Sequence, residues 1–374
     1  MKKHFFSSFI VIVLLFGCQQ TTEKKIKIGS IQQLSVQMAK YGKTHVAAVR
    51  AMLDLINEER KSKSLPQIEL IVDDDQLKPA VGVNIIQKFI DIDGVVAVIG
   101  AQGSSVTLAI APIAEEKEVV LISGASGSPQ ISDAGDYIFR TCPSDIYEGR
   151  TMGEYYEKRF KGEPLAIIYI NNDYGIGLRD AFLNALSDRP SKVLDLAYAQ
   201  GAVDFRNQLT KIKQDNIKVV YLVGYNEMVS IYKQAKELGL TCQWLGNNQL
   251  NDQSLIDKMG TTADGTIFPG HDFELDKIKV SYPRFYYRYL KLSNGVELDV
   301  FAAYGVDAFI VINYALMQGA QTGTEIKDIL YETTSFEGLI GNFSFDENGD
   351  ALRNLGLYEI KNSKIVKYLV SPDK

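Results

Sequence analysis

Cysteine, histidine and tryptophan are scarce here: three, three and one among 374 residues. So few thiols exclude a small disulfide-stapled scaffold. His4, His45 and His271 have no metal-ligand spacing around them, and no metal or cofactor is expected. Basic runs are missing as well. The formal net charge of −6 is spread along the chain, and without clustered Lys and Arg nucleic acid is excluded as a partner. Long apolar runs are confined to the first residues, because the next candidate, 300–316, is interrupted by Asp307 and Asn313. A hydrophobic share of 46% and a charged share of 23% describe a globular chain, long enough for two cores.

Catalytic motifs are absent too. Gly124-Ala125-Ser126-Gly127-Ser128 is not a nucleophile elbow. Gly42-Lys43-Thr44 lacks the first glycine of a phosphate loop, since Gln37 stands there. Gly175 and Gly177 open a helix after a strand, but Asp180 occupies the third glycine's place of a dinucleotide fingerprint. Residues 346–350 have the look of a calcium loop, yet Ala351 and Leu357 replace its glycine and glutamate, so a polar turn is expected. Asp73, Asp74 and Asp75 are read as a charged strand end at the surface. No nucleophile–base pair emerges, and the chain is expected not to be an enzyme.

What is present begins with a leader. Lys2 and Lys3 precede residues 5–16, which are apolar except for Ser7 and Ser8. That run is short for a bilayer span and fits the core of a secretory signal. Leu15-Phe16-Gly17-Cys18 then resembles a lipobox, although Phe16 is bulky for one. Residues 1–17 are expected to be a lipoprotein signal peptide, Cys18 the lipidated first residue of the mature chain, and 18–24 a polar tether. An ordinary secretory signal with an incidental cysteine, or an uncleaved anchor, is the alternative. Cys142 and Cys242 are expected to be buried free thiols, with pairing as the alternative.

Beyond the tether, strands and helices alternate. Strands are expected at 25–30, 68–74, 95–100 and 119–123, with helices at 43–60, 79–91 and 104–116. A second series follows Arg140, with strands at 165–171, 193–198, 219–223 and 243–245 and helices at 147–160, 174–187, 205–214 and 227–238. After Gly270 come helices at 279–293, 301–319 and 325–333, then strands at 343–345, 355–360 and 365–370. Near-continuous apolar strands imply parallel sheets covered on both faces. The fold class is therefore α/β, with two doubly wound parallel-sheet lobes. In such sheets ligands bind beyond the carboxyl ends of the strands. Those ends carry Tyr41, Gln102 with Ser104 and Ser105, Ala125 to Gly127, Tyr174, Tyr225 and Asn248. Together they make hydroxyls, amides, free backbone N–H groups and aromatic walls.

The order of these segments resembles one family. Ile26-Lys27-Ile28-Gly29, Tyr41-Gly42, Val98-Ile99-Gly100 with Ser104-Ser105, and Leu121 to Ser126 carry the likeness in the first half. Phe139-Arg140-Thr141, Asn172-Asp173-Tyr174-Gly175, Asp204-Phe205, Tyr304 with Asp307-Ala308, and Phe343 to Asp350 continue it. The mature chain resembles the type I periplasmic binding proteins of the leucine/isoleucine/valine-binding kind, the extracytoplasmic receptors of ABC importers. The resemblance implies two lobes joined by three crossings that close on ligand, with lobe I at 25–143 and 269–354 and lobe II at 144–268 and 355–374. It implies Ser104 as holder of a carboxylate or other anion, backbone contacts at Ala125 and Gly127, and tyrosine walls at Tyr41, Tyr174 and Tyr225. Two positions depart from the amino-acid binders, which carry threonine at the position of Gly127 and glutamate at that of Asn248. Asp145 matches an acidic position near the hinge. The implied function is an exported, lipid-anchored monomeric receptor facing the periplasm or cell exterior. It would deliver a small polar or anionic solute, amino acid-like or related, to ABC permease subunits. A sensory lipoprotein signalling to a membrane receptor is the alternative, and an ordinary branched-chain amino acid is not the expected ligand.

Overall fold

A computed structural model describes residues 25–36 and 38–369. The leader, Cys18 and the tether lie outside the described residues. The first lobe is built on strands β1 (Ile26–Gln32), β2 (Ile68–Asp74), β3 (Ala97–Ile99), β4 (Val120–Ser123) and β5 (Ile138–Arg140). Their order is β2-β1-β3-β4-β5, and every pairing is parallel. Helices α1 (Ala39–Ser62), α2 (Pro79–Lys88) and α3 (Ser104–Glu116) connect them. Pro79 opens α2, where its missing N–H breaks no helical bond.

Helix α4 (Asp145–Phe160) leads into the second lobe. There β6 (Leu165–Ile170), α5 (Asp173–Asn184), β7 (Val193–Tyr198), α6 (Arg206–Gln214), β8 (Val219–Val223), α7 (Met228–Glu237), β9 (Gln243–Gly246), α8 (Gln253–Met259) and β10 (Ile267–Gly270) follow one another. All residues of β6 and β8 are buried, because helices cover both faces of the sheet. α4 packs on α5 through Gly149 and Gly153 against Ala181 and Ala185, so small side chains bring the two axes close. That contact sets the start of α4, with Asp145, beside the start of α5, with Tyr174.

The chain then returns to the first lobe with α9 (Leu275–Ser281), α10 (Pro283–Leu292), α11 (Val300–Met317), α12 (Gly323–Glu332) and the short strands β11 (Phe336–Gly338), β12 (Gly341–Phe345) and β13 (Ala351–Leu352). It ends in the second lobe, where β14 (Gly356–Lys361) and β15 (Lys364–Lys367) extend the sheet to β15-β14-β10-β9-β8-β6-β7. The five parallel strands, β7-β6-β8-β9-β10, repeat the order of the first sheet. β14 and β15 are added antiparallel.

Several expectations need correction. The helix expected at 279–293 is two helices, because Pro283 cannot donate a helical N–H and displaces the preceding residue from helical backbone. α8, β5 and β10 had not been expected. Residues 269 and 270 pair with Leu357 and Gly356, so the return to lobe I follows Gly270 rather than residue 268. Asp75 is fully buried, not a surface charge, and its carboxylate accepts from the Leu77 N–H at 2.7 Å. α11 is long and apolar enough to cross a membrane, yet most of it is buried inside this chain. It packs on β1, β3 and β4, and its central Asp307 bonds Arg353 at 2.5 Å. Cys142 and Cys242 are both free thiols, Cys142 buried and Cys242 only half-buried.

The lobes are joined where β5 ends. Arg140 is wholly buried there and bonds Asp350 twice, at 2.5 and 2.8 Å. Its remaining guanidinium N–H groups reach the carbonyls of Gly127 and Ser128, both at 2.8 Å, and the Ser132 hydroxyl at 2.6 Å. The calcium-like segment is a turn in which the Asp346 carboxylate accepts from the Asn348 and Asp350 N–H groups, presenting Asp350 to Arg140. Removing one member of such a pair strands the other charge. Arg140→Met is therefore expected to lower unfolding free energy by ~3–5 kcal/mol, measured by chemical denaturation, with the Arg140→Met/Asp350→Leu double variant recovering a large part of the loss.

Candidate functional site

The carboxyl ends of the two sheets face each other across a cleft. Gln33 follows β1, Gln102 to Ser104 follow β3, and Ala125 and Gly127 follow β4. From the second lobe, Tyr174 opens α5 after β6, Tyr225 follows β8, and Asn248 and Gln249 follow β9. Cys142, Pro143 and Asp145 form the hinge side, and Met38, Tyr41, Leu77 and Phe301 complete the walls.

The structure thus brings Tyr41, Gln102, Ser104, Ala125, Gly127, Asp145, Tyr174, Tyr225 and Asn248 to one cavity. Ser105 and Ser126 are not among its walls. Ser105 is half-buried on α3. Ser126 is buried, and its hydroxyl bonds Thr107 at 2.8 Å and donates to the Ala101 carbonyl at 3.0 Å, so it holds the loop rather than faces the cavity. Gln33, Met38, Leu77, Cys142, Pro143, Gln249 and Phe301 had not been anticipated. Gln33 could have been found by carrying β1 two residues further. Leu77 and Phe301 arrive from distant segments, and no local pattern signals them.

The electrostatics are lopsided. Asp145 is the one lining residue with a formal charge. It is fully buried, and neither carboxylate oxygen has a partner among the described residues. Burial pushes it up to about 8; Arg140 opposes this and Asp350 adds to it. One helical turn on, Glu148 accepts from the Asn248 N–H at 2.8 Å, and burial together with Asp145 raises it well above the carboxylate range. Across the cavity α3 begins at Ser104; the Val106 and Thr107 N–H groups donate to the Gly103 carbonyl, and those of Ser104 and Ser105 have no helical acceptor. The Ser104 hydroxyl accepts from Ser128 N–H at 3.3 Å, tying the α3 start to the 124–128 loop. Tyr174 and Tyr225 stack at 5.2 Å and 10°, and the Asn247 amide donates to the Tyr174 hydroxyl at 2.5 Å.

The lobes also touch beside the cavity. Lys40 of the first lobe pairs with Asp252 of the second at 2.8 Å and donates to Ser254 as well. The Tyr41 hydroxyl donates to the same Asp252 oxygen at 2.8 Å. Burial alone would raise Asp252, but Lys40, Tyr41 and Ser254 outweigh it and hold the group below the ordinary carboxylate range.

Two facing α/β lobes with a polar cavity at their strand ends are matched by a family model described as periplasmic binding protein, over residues 25–364. The chain belongs to that family, in its type I, leucine/isoleucine/valine-binding-like form. A leucine-, isoleucine-, valine-, threonine- and alanine-binding protein of Pseudomonas aeruginosa is 27% identical, over 90% of this chain and 89% of its own length. A Leu/Ile/Val-binding protein of Escherichia coli is also 27% identical, over 90% and 92%. The crystal structure of a leucine-binding protein from Thermotoga maritima has a TM-score of 0.80 and 25% identity, covering 92% of this chain and 98% of that one.

In this periplasmic binding protein the two departures at 127 and 248 have a common structural basis. A Cβ at Gly127 would lie 2.1 Å from a carboxylate oxygen of Asp145. A side chain there would have to displace the Asp145 carboxylate. At Asn248 a carboxylate is again present, but Glu148 supplies it from α4. The acidic groups nearest position 248 thus stand on α4, and burial favours their protonated forms until a cation arrives. An unfolded aspartate titrates near ~3.9, so the folded state holds the Asp145 proton more tightly. That stabilisation is complete below about pH 4 and is lost as pH rises towards about 8. The melting temperature of the ligand-free protein should fall across that window in calorimetry, and Asp145→Asn should flatten much of the fall.

Proposed function

We propose that this chain is an exported, lipid-anchored receptor that closes on a free α-amino acid and delivers it to an ABC importer. One observation carries the reading: Asp145 is an unpaired buried carboxylate facing a cavity whose other side is the amino end of α3. A zwitterion complements that arrangement. Its carboxylate is held by the Ser104 hydroxyl and first-turn N–H groups, with backbone of Ala125 and Gly127 beside it. Its ammonium meets Asp145, with Glu148 behind, and the Tyr174–Tyr225 stack and Tyr41 wall the remainder. An ammonium next to Asp145 favours the ionised carboxylate, so binding below about pH 8 is accompanied by proton release.

A purely anionic solute would meet no lining cation among the described residues and would keep Asp145 protonated, leaving its charge unused. The relatives' names agree with an amino-acid ligand, and their family agrees with a binding rather than a catalytic role. Ligand contacts made to both lobes stabilise the closed form, which a permease recognises. Isothermal titration should give binding of at least one L-amino acid and none of its des-amino analogue. Asp145→Asn should weaken that binding by a hundredfold or more, the scale of losing a buried charge partner (~3 kcal/mol); unchanged affinity would overturn the reading. For the anchor, cells fed an alkyne fatty acid should label the wild type and not Cys18→Ala, which should leave the membrane fraction.

A further inference from the structure

Away from Asp145, a chain of three neutral polar side chains runs from the cavity into the first lobe. Gln33 lines the cavity and is 3% exposed. Its amide nitrogen donates to the Gln102 oxygen at 2.5 Å, and the Gln102 nitrogen bonds His45 Nδ1 at 2.7 Å. Both partners are buried as well. The two amides come from the ends of β1 and β3, where the strand order of the first sheet reverses. At the far end the imidazole is shut in, because a Cβ on Gly305 would lie 2.4 Å from His45 Nε2. At the near end the Gln33 oxygen has no partner among the described residues. His45 Nε2 is likewise unpartnered among the described residues but faces that wall, so the unspent group a ligand could reach is the Gln33 amide beside the cavity.

We infer that this chain selects the ligand's side chain, and that the preferred amino acid has an uncharged hydrogen-bonding side chain, a carboxamide or hydroxyl, rather than a branched aliphatic one. The inference rests on the amino-acid reading and adds the identity of the side chain to it. A bound leucine, isoleucine or valine would leave the Gln33 amide buried and unpaired, and sites built around a hydrogen bond discriminate strongly against ligands that lack it. The chain also serves either polarity. With the His45 proton on Nε2, Gln102 donates to Nδ1 and Gln33 presents its oxygen to the cavity. With the proton on Nδ1 both amides turn over, and Gln33 presents its NH₂. A carboxamide or hydroxyl can meet either face. A side-chain carboxylate or ammonium would find no counter-charge, since Gln33, Gln102 and the neutral His45 are the groups there; burial holds the imidazole down to about 3. The apolar surfaces of Met38, Leu77 and Phe301 take the methylenes of the stem.

The test is isothermal titration of the purified full-length protein, unfolded and refolded to strip carried ligand. The panel is glutamine, asparagine, threonine, serine, leucine, isoleucine, valine, glutamate and lysine. The best uncharged polar amino acid should bind at least tenfold tighter than the best of leucine, isoleucine and valine. Gln33→Leu should lower that ratio at least tenfold, and Gln33→Met serves if the leucine variant does not fold. Tightest binding of an aliphatic or charged member overturns the side-chain inference and leaves the amino-acid reading standing. A panel in which nothing binds overturns both.

Discussion

A single buried cation organises the region on which this molecule turns. Arg140 sits at the end of β5, where the chain is about to leave the first lobe, and its donors are all directed at that lobe's own groups. Asp350 neutralises it from the turn between β12 and β13, so the first-lobe segments that precede two of the crossings are tied by a doubly bonded ion pair. Its grip on the carbonyls of Gly127 and Ser128 fixes the loop after β4, and the Gly127 carbonyl in turn accepts from the Asp145 N–H at 2.8 Å. The start of α4 is thus positioned by an arginine that makes no hydrogen bond to the Asp145 carboxylate. Arg140 supplies attraction at a distance while leaving the Asp145 oxygens open to the cavity. A direct salt bridge would have spent that charge inside the protein.

The two halves of the cavity also divide the chemistry between elements of different kinds. Backbone N–H groups and a hydroxyl at the α3 start are rigid and built by a helix that must begin there. The carboxylates stand on α4, whose path is set by its close packing on α5. The amide chain from Gln33 to His45 belongs to β1, β3 and α1, three elements at the centre of the first lobe. Each group is therefore held by regular structure, with short loops only at the strand ends, and little conformational freedom remains to be lost when a ligand arrives.

Much of this was legible beforehand, for physical reasons. Strands such as Leu165–Ile170 and Val219–Val223 are apolar at every position because both sheet faces are covered, and that pattern survives without any knowledge of neighbours. The four residues of β10 include Pro269 and Gly270, which read locally as a turn; only their pairing with β14 makes them a strand. Pro283 divides a helix that periodicity alone continued. At the cavity, the strand-end residues were legible because topology puts strand ends together. Ser126 was misplaced because a serine in a small-residue loop looks available, whereas this one is consumed by Thr107 and Ala101. That Asp145 fills the space above Gly127 is a fact of packing between two loops, and no spacing along the chain announces it.

The contact of Lys40 and Tyr41 with Asp252 has a consequence for an empty receptor. It joins the lobes through groups the protein itself supplies, so part of the attraction favouring closure exists before any solute enters. A solute can enter the cavity only while that clasp is released. Affinity and entry rate are consequently coupled through one partly exposed ion pair. Its strength also depends on the salt around it, so the ease with which the empty cleft opens follows the surrounding medium through groups at the cavity's rim.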